Sequence, residues 1–177
     1  LLELASNDPS LADNTNIQLY QAQLALDENN IEEANTLYND ILEREPSNVS
    51  AIGGLLWLAI NTQDNEAMDN LYSRYKSAFK GEKDLWLAFA TTAQLLGRPK
   101  EAEQWYQRLL LNTEKTDVSV IINFAALLEL QGRYDTAYKL RRYVATELSD
   151  SLLKLKDGDI TYRSLVALFM VQLLYGL

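Results

Sequence analysis

The sequence predicts an all-α fold, a right-handed solenoid built from antiparallel helix pairs. Small residues recur at a nearly fixed interval of about 34 residues, which is typical of helix–turn–helix repeats. The four alanines that show it, 33, 35 and 35 residues apart, are Ala34, Ala67, Ala102 and Ala137. Three prolines and seven glycines in 177 residues leave little room for long irregular loops. A hydrophobic content of 47% is enough for a continuous core.

The repeats can be assigned in chain order as a single solenoid. Residues 1–10 are predicted to be the end of a preceding repeat, and residues 160–177 the first helix of a further one. Four complete helix pairs are predicted at residues 14–46, 47–80, 83–116 and 117–157. We therefore expect the chain to be a fragment of a longer array, because solenoids normally end in polar capping repeats.

The third repeat shows most clearly why these residue types recur. Two helices of a pair approach closely only where the contact residues are small, as Ala90 and Ala102 are. Gly97 provides the left-handed conformation that ends the first helix. The second repeat fits less well, because Leu55 takes the small-residue position and the turn at 61–65 has no glycine.

Acidic residues mark the start of each second helix, where they interact favourably with the positive end of the helix dipole. Asn30 and Glu33 are spaced as in a capping box, with Asn in place of Ser or Thr. The acids at these positions are Glu32, Glu33, Glu66, Glu101 and Asp135.

The pattern resembles the tetratricopeptide repeat family. The residues that carry the resemblance in the third repeat are Trp86, Ala90, Gly97, Ala102 and Tyr106. The resemblance implies a scaffold for protein–protein interaction, whose partner-binding groove is lined by the first helix of each pair. Counting from the alanines assigns Ile52, Leu56 and Ile60 to that groove in the second repeat. Core packing accounts for Trp86, whereas Trp105 is a candidate for exposure.

A narrower resemblance lies in residues 121–142, which are similar to the periplasmic repeat region of the Pel exopolysaccharide outer-membrane export family. It implies a scaffold that binds a polysaccharide deacetylase or hydrolase and guides a cationic polymer toward an outer-membrane porin. The compartment would then be the periplasm. The alternative is a cytoplasmic adaptor that binds a peptide or helix of another protein.

Composition excludes several classes of chemistry. The chain has no histidine and no cysteine, so imidazole catalysis, thiol nucleophiles, disulfides and the usual zinc sites are excluded. The paired acids Glu101 and Glu103 stand at a helix start, where capping accounts for them. We expect no enzymatic activity, no cofactor and no bound metal. The longest apolar run, residues 165–177, is shorter than the roughly 20 residues that cross a bilayer, so we expect no transmembrane segment.

Charge is distributed unevenly along the chain. Residues 1–70 contain thirteen acids and one base, a net charge of −12, whereas residues 71–177 contain fifteen bases and twelve acids, a net charge of +3. An acidic end repels nucleic acid and attracts basic partners. From this acidic region and the polar positions of the first helices, we predict ten partner-binding residues. They are Gln23, Asp27, Glu28, Glu32, Glu33, Asp40, Glu43, Thr91, Gln94 and Glu129.

Overall fold

The computed structural model describes residues 14–112 and 118–144. Within these residues the chain forms eight α-helices and no strand, which confirms the predicted all-α fold. The predictions for residues 1–10 and 160–177, and for the end of the fourth repeat, lie outside the described residues. The chain divides into two compact units, residues 1–88 (unit 1) and residues 89–177 (unit 2).

The helices are short, and three residues separate the two helices of each pair. Unit 1 contains α1 (Thr15–Asp27), α2 (Ile31–Arg44), α3 (Val49–Asn61), α4 (Asn65–Tyr75) and the first part of α5 (Lys83–Leu95). Unit 2 contains the rest of α5, α6 (Pro99–Asn112), α7 (Val118–Leu130) and α8 (Tyr134–Tyr143). Neighbouring helices in sequence pack against each other, α1 on α2, α2 on α3 and α3 on α4 in unit 1, and α6 on α7 and α7 on α8 in unit 2.

One residue in each turn between the helices of a pair adopts the left-handed conformation. Its φ is 60° at Asn29, 55° at Gln63, 68° at Gly97 and 75° at Gly132. The first two turns therefore have the same backbone conformation as the last two, with Asn29 and Gln63 at the position that glycine occupies in the third and fourth repeats. These four residues lie 34, 34 and 35 residues apart and fix the repeat period independently of the alanines.

Polar side chains cap the helices of unit 1. The Asn14 carboxamide oxygen accepts from the backbone N–H groups of Asn16 and Ile17, at 3.0 and 3.3 Å. At the start of α2, the Asn30 side chain accepts from the Glu33 N–H and donates to the Glu33 carboxylate, at 3.5 and 2.5 Å. The predicted Asn30–Glu33 pair is thus present, although the carboxylate accepts from the Asn30 side chain rather than from its backbone.

The close approach of α2 and α3 depends on Gly54. A Cβ atom at this position would lie 2.3 Å from Cζ of Tyr38. The Tyr38 ring therefore covers the helix backbone directly. Leu55 and Leu58 complete the contact, because both belong to the same core cluster as Tyr38 and Ile41.

The predicted phase of the second repeat is wrong by one residue. Ala67 is only partly buried, whereas Met68 is 1% exposed and fills the core position. On α3, the position seven residues before the left-handed residue, which Ala90 and Ala125 occupy in unit 2, is the fully buried Leu56 rather than the predicted Leu55. This pair of helices therefore has two large side chains where the other pairs have two alanines.

The core of unit 2 follows the predicted pattern. Ala90, Ala102, Ala125 and Ala137 are all fully buried. The Trp105 ring packs against Phe89, with 5.2 Å between ring centroids, and is 8% exposed. The suggestion that Trp105 is exposed was therefore wrong, because its ring fills the space between α5 and α6.

Candidate functional site

The first helix of each pair leaves one stripe of its surface uncovered. On α3 this stripe contains Gly53, Trp57 and Ile60, which are partly exposed. Ile52 and Leu56, which the alanine spacing assigned to the groove, are both fully buried. The assignment of these two residues was wrong for the same reason as that of Ala67, since the phase of the second repeat is shifted by one.

On α1, the predicted residues Gln23 and Asp27 are exposed and lie one helical turn apart. The Gln23 side-chain amide donates to the Asp27 carboxylate at 3.2 Å. This hydrogen bond links two side chains one helical turn apart. These two residues provide a polar, anionic end to the uncovered stripe of α1.

The predicted acids of unit 1 form one exposed group, the acidic surface. It begins at the end of α1, passes through the turn and continues along α2. Glu32, Asp40 and Glu43 lie 8 and 3 residues apart, which places them on one side of the helix. Its members are all exposed and comprise Asp27, Glu28, Glu32, Glu33, Asp40 and Glu43.

Positive charge is scarce in this region. Residues 14–70 contain ten acids and a single base, Arg44, a net charge of −9. The Arg44 guanidinium donates to the side chain of Gln18 and, at 3.2 Å, to the backbone carbonyl of Asp40. The pKa of Glu45 is lowered by hydrogen bonds from Thr15 and Asn48 and, to a smaller extent, by the charge of Arg44. The acidic surface therefore produces a negative potential that attracts cations and basic segments.

The predicted residues of α5 have a structural role in unit 2. The Tyr106 hydroxyl donates to the Gln94 carboxamide oxygen at 2.9 Å. Burial raises the pKa of Tyr106, and a hydrogen bond with Thr91 partly offsets this. Thr91 and Gln94 thus hold the buried tyrosine of α6, and both side chains remain partly exposed.

The tenth predicted residue, Glu129, is paired within the chain. Arg141 donates to both Glu129 oxygens, at 2.7 and 2.9 Å, in a bidentate arrangement. This hydrogen bond lowers the pKa of Glu129. Gln94 and Glu129 lie 35 residues apart, as do Tyr106 and Arg141, so both links join the same positions of successive repeats. The equal spacing follows from the repeat period, but neither bond could be predicted from it without the register of the helix pair.

Sequence reasoning also missed the exposed apolar side chains. On α1, Tyr20 is 58% and Leu24 is 38% exposed. On α8, Tyr134 and Tyr138 are 68% and 65% exposed, one helical turn apart. Their spacing of four residues was a readable signal, because it places each pair on one helix face.

The tetratricopeptide repeat family matches residues 1–150 of the chain. The chain belongs to this family. Tetratricopeptide repeats are in general non-catalytic modules of protein–protein interaction, which agrees with a helical scaffold that presents side chains to a protein partner. No curated protein and no solved structure matches the chain.

Two further properties of this tetratricopeptide-repeat chain concern residues 14–112 and 118–144. Within those ranges, no three acidic side chains are grouped so that they could hold a metal ion. None of the helices there combines the length and the apolar character that a membrane span requires.

Proposed function

We propose that the chain is a non-catalytic scaffold whose acidic surface binds a basic segment of a partner protein. The observation that carries this proposal is the concentration of exposed carboxylates on α1 and α2, with Arg44 as the single base among residues 14–70. A partner rich in Lys or Arg would relieve the mutual repulsion of these acids while gaining charge-assisted hydrogen bonds.

The proposal makes binding dependent on salt. The carboxylates are exposed, so each contact with a cation contributes little by itself, about 0.2–1 kcal/mol. Several contacts together are needed for measurable affinity. Because ions screen charges over about 10 Å at 0.1 M salt, affinity and association rate should both fall as salt is added.

A lysine-rich peptide provides a direct test by fluorescence anisotropy. The triple variant Glu32→Gln, Asp40→Asn, Glu43→Gln should bind it about tenfold more weakly at low salt, from three lost contacts of the size given above. These three residues are chosen because they lie on one side of α2.

Asp135→Asn is the matched control for Asp40→Asn, since Asp135 is an exposed aspartate on α8 of unit 2. It should leave peptide binding unchanged within about twofold. Equal losses for Asp40→Asn and Asp135→Asn would show that the peptide responds to net charge alone. Binding that does not change between low and physiological salt would contradict the electrostatic proposal.

We further propose that the partner belongs to a Pel-type exopolysaccharide export system in the periplasm. Two observations favour it: the resemblance of residues 121–142 to that family, and the acidic surface, which is complementary to a partly deacetylated, cationic amino-sugar polymer. The protein partner would be a polysaccharide deacetylase or hydrolase. A cytoplasmic adaptor that binds a peptide or helix remains the alternative function.

Two measurements distinguish these functions. A partly deacetylated amino-sugar oligomer should bind the chain, the triple variant should bind it less, and a fully acetylated oligomer of equal length should not bind. Fractionation of cells that express the complete reading frame should place the protein in the periplasm. Recovery in the cytoplasm, or equal binding of both oligomers, would favour the adaptor.

A further inference from the structure

The connection between α4 and α5 carries a concentration of positive charge. Seven residues, 76–82, join these two helices, whereas four residues, 45–48, join α2 to α3. Residues 74–83, the basic loop, contain four bases and one acid, whereas residues 27–43 contain six acids and no base. The loop is thus opposite in charge to the acidic surface. Its bases are Arg74, Lys76, Lys80 and Lys83, of which Lys76 is partly exposed and the others are exposed.

Aromatic side chains hold the backbone of the basic loop in place. The indole N–H of Trp86 donates to the backbone carbonyl of Lys80 at 3.0 Å. The Phe79 ring packs edge-on against Tyr75, with 5.8 Å between ring centroids. Trp86 and Tyr75 are both buried, each 5% exposed. The middle of the loop is therefore fixed to the core of unit 1, and its charged side chains extend from a defined backbone.

Two of the cations in this loop also lie over aromatic rings. The Arg74 guanidinium is 5.1 Å from the ring centroid of Tyr75, and the Lys76 ammonium is 4.6 Å from that of Tyr72. A ring carries no net charge, so these contacts orient the two cations without neutralising them. The basic loop therefore places positive charge at defined positions on the surface.

The exposure of both charged regions is a property of repeats that have neighbours. The basic loop joins the second repeat to the third. Glu32 and Asp40 follow the left-handed residue of the first repeat by 3 and 11 residues, and Glu66 and Arg74 follow that of the second repeat by the same numbers. Glu66 and Arg74 are exposed although described repeats precede and follow them. These positions are therefore left uncovered when repeats stack.

We propose that the basic loop of one copy of the chain binds the acidic surface of a second copy. The inference rests on the proposed function, because the same carboxylates bind the cations, and it names the chain itself as one source of the basic segment. A loop that is already ordered loses less conformational entropy on binding than a flexible segment does. Because the two surfaces differ, the contact is heterologous and can extend beyond a dimer.

The net charge of −9 decides the conditions under which this contact is measured. Two copies repel each other over long distances, which opposes association at low salt. Salt at about 0.1 M screens charges that are more than about 10 Å apart, so it weakens this repulsion more than the attraction between groups in contact. Self-association is therefore measured at that salt concentration.

Sedimentation equilibrium of the full chain provides the test. The average mass of the wild type should rise with protein concentration. The double variant Lys80→Glu, Lys83→Glu should self-associate about tenfold more weakly, because two attractive contacts become repulsive. The double variant Asp40→Lys, Glu43→Lys should show an equal loss for the same reason. An equimolar mixture of the two should associate again, since each variant retains the surface that the other lacks.

The matched control is the double variant Lys100→Glu, Lys139→Glu. It makes the same change in net charge at two exposed lysines of unit 2, and it should alter self-association less than about twofold. A loss as large as that of Lys80→Glu, Lys83→Glu would overturn the proposal, because net charge alone would then govern association.

Cross-linking separates contact between copies from contact within one chain. Carbodiimide joins a lysine to a carboxylate that touches it. In an equal mixture of unlabelled and isotope-labelled wild type, links from the basic loop to the acidic surface should join labelled to unlabelled chains. Links found only within single chains would overturn the proposal.

The lysine-rich peptide distinguishes this proposal from the preceding one. A chain that binds the peptide but stays monomeric would overturn self-association and leave the proposed function intact. A chain that does not bind the peptide, yet self-associates and loses this in both double variants, would contradict the proposed function and support the contact between copies.

Discussion

Within residues 14–112 and 118–144, four residues in the left-handed conformation fix the turns between paired helices, and two of them are not glycine. An L-residue in this conformation costs about 1–2 kcal/mol, which glycine avoids. Gln63 has a φ of 55° and lacks the short side chain that lets Asn29 tolerate this region. The sequence shows the turn at 61–65 but not which residue adopts the left-handed conformation, because no glycine marks it.

Gln63→Gly should stabilise the fold. Removal of left-handed strain outweighs the greater entropy of glycine in the unfolded chain, so we expect a gain of about 0.5–1 kcal/mol in the free energy of unfolding. Gly97→Ala is the matched reverse change, since a Cβ there meets no atom within 4 Å and only backbone strain is added. It should cost about 1 kcal/mol. Urea denaturation of both variants measures this, and equal effects of one sign would refute the turn assignment.

The ion pair between Glu129 and Arg141 predicts a dependence of stability on pH. The pKa of Glu129 is lower in the folded than in the unfolded chain. Its contribution to stability is therefore complete above the unfolded pKa of about 4.3 and is lost as pH falls through the lower, folded pKa.

Carbon-13 NMR titration should find the Glu129 pKa below its ordinary value in the wild type and close to that value in Arg141→Gln. The same variant should lose less stability than wild type between pH 6 and pH 3. Glu45, whose pKa is lowered by hydrogen bonds from Thr15 and Asn48, is the internal reference, because Arg141→Gln should leave it unchanged. An unchanged Glu129 titration would show that the pair does not form in solution.

At the scale of helices, the spacing of small residues agrees with the four helix pairs within residues 14–112 and 118–144, but it misjudged the phase of one. Intervals of 33, 35 and 35 residues placed the second repeat at Ala67, whereas the left-handed residues are spaced by 34, 34 and 35. The residue types of the second repeat could not reveal the correct phase, because Leu56 and Met68 are both large and no alanine stands at either position. The same shift moved Ile52 and Leu56 into the predicted groove and left out Trp57.

Overpacking tests the corrected phase. Ala102→Leu and Ala137→Leu should each cost about 1–3 kcal/mol, since both alanines are fully buried between helices. Ala67→Leu should change stability by less than about 0.5 kcal/mol, because Ala67 is partly exposed. Thermal and urea unfolding of the three variants measure this. A large loss for Ala67→Leu would restore the original phase.

The contact between α2 and α3 can be tested at adjacent glycines. Gly54→Ala places a Cβ within 2.3 to 2.7 Å of three Tyr38 ring atoms, so it should cost about 1–2 kcal/mol after its gain in helix propensity. Gly53→Ala meets one Leu85 methyl carbon at 3.3 Å and should cost less. In a Tyr38→Leu background the penalty of Gly54→Ala should shrink. A penalty that persists there would show that Tyr38 is not the cause.

At the scale of the whole molecule, charge was the property best read from sequence. The acids of residues 27–43 are exposed as predicted, because charged side chains are rarely buried unless they are paired. The roles of Thr91, Gln94 and Glu129 could not be read in the same way. Each makes a bond to a residue on the neighbouring helix, and such a contact depends on the register of the pair.

Binding at the acidic surface can be measured most directly by NMR titration of the isotope-labelled chain with the lysine-rich peptide at low and physiological salt. We expect chemical-shift changes confined to the acidic surface on α1 and α2, with smaller changes at the higher salt concentration. Changes centred on α7 and α8, or changes that do not respond to salt, would contradict binding at this surface.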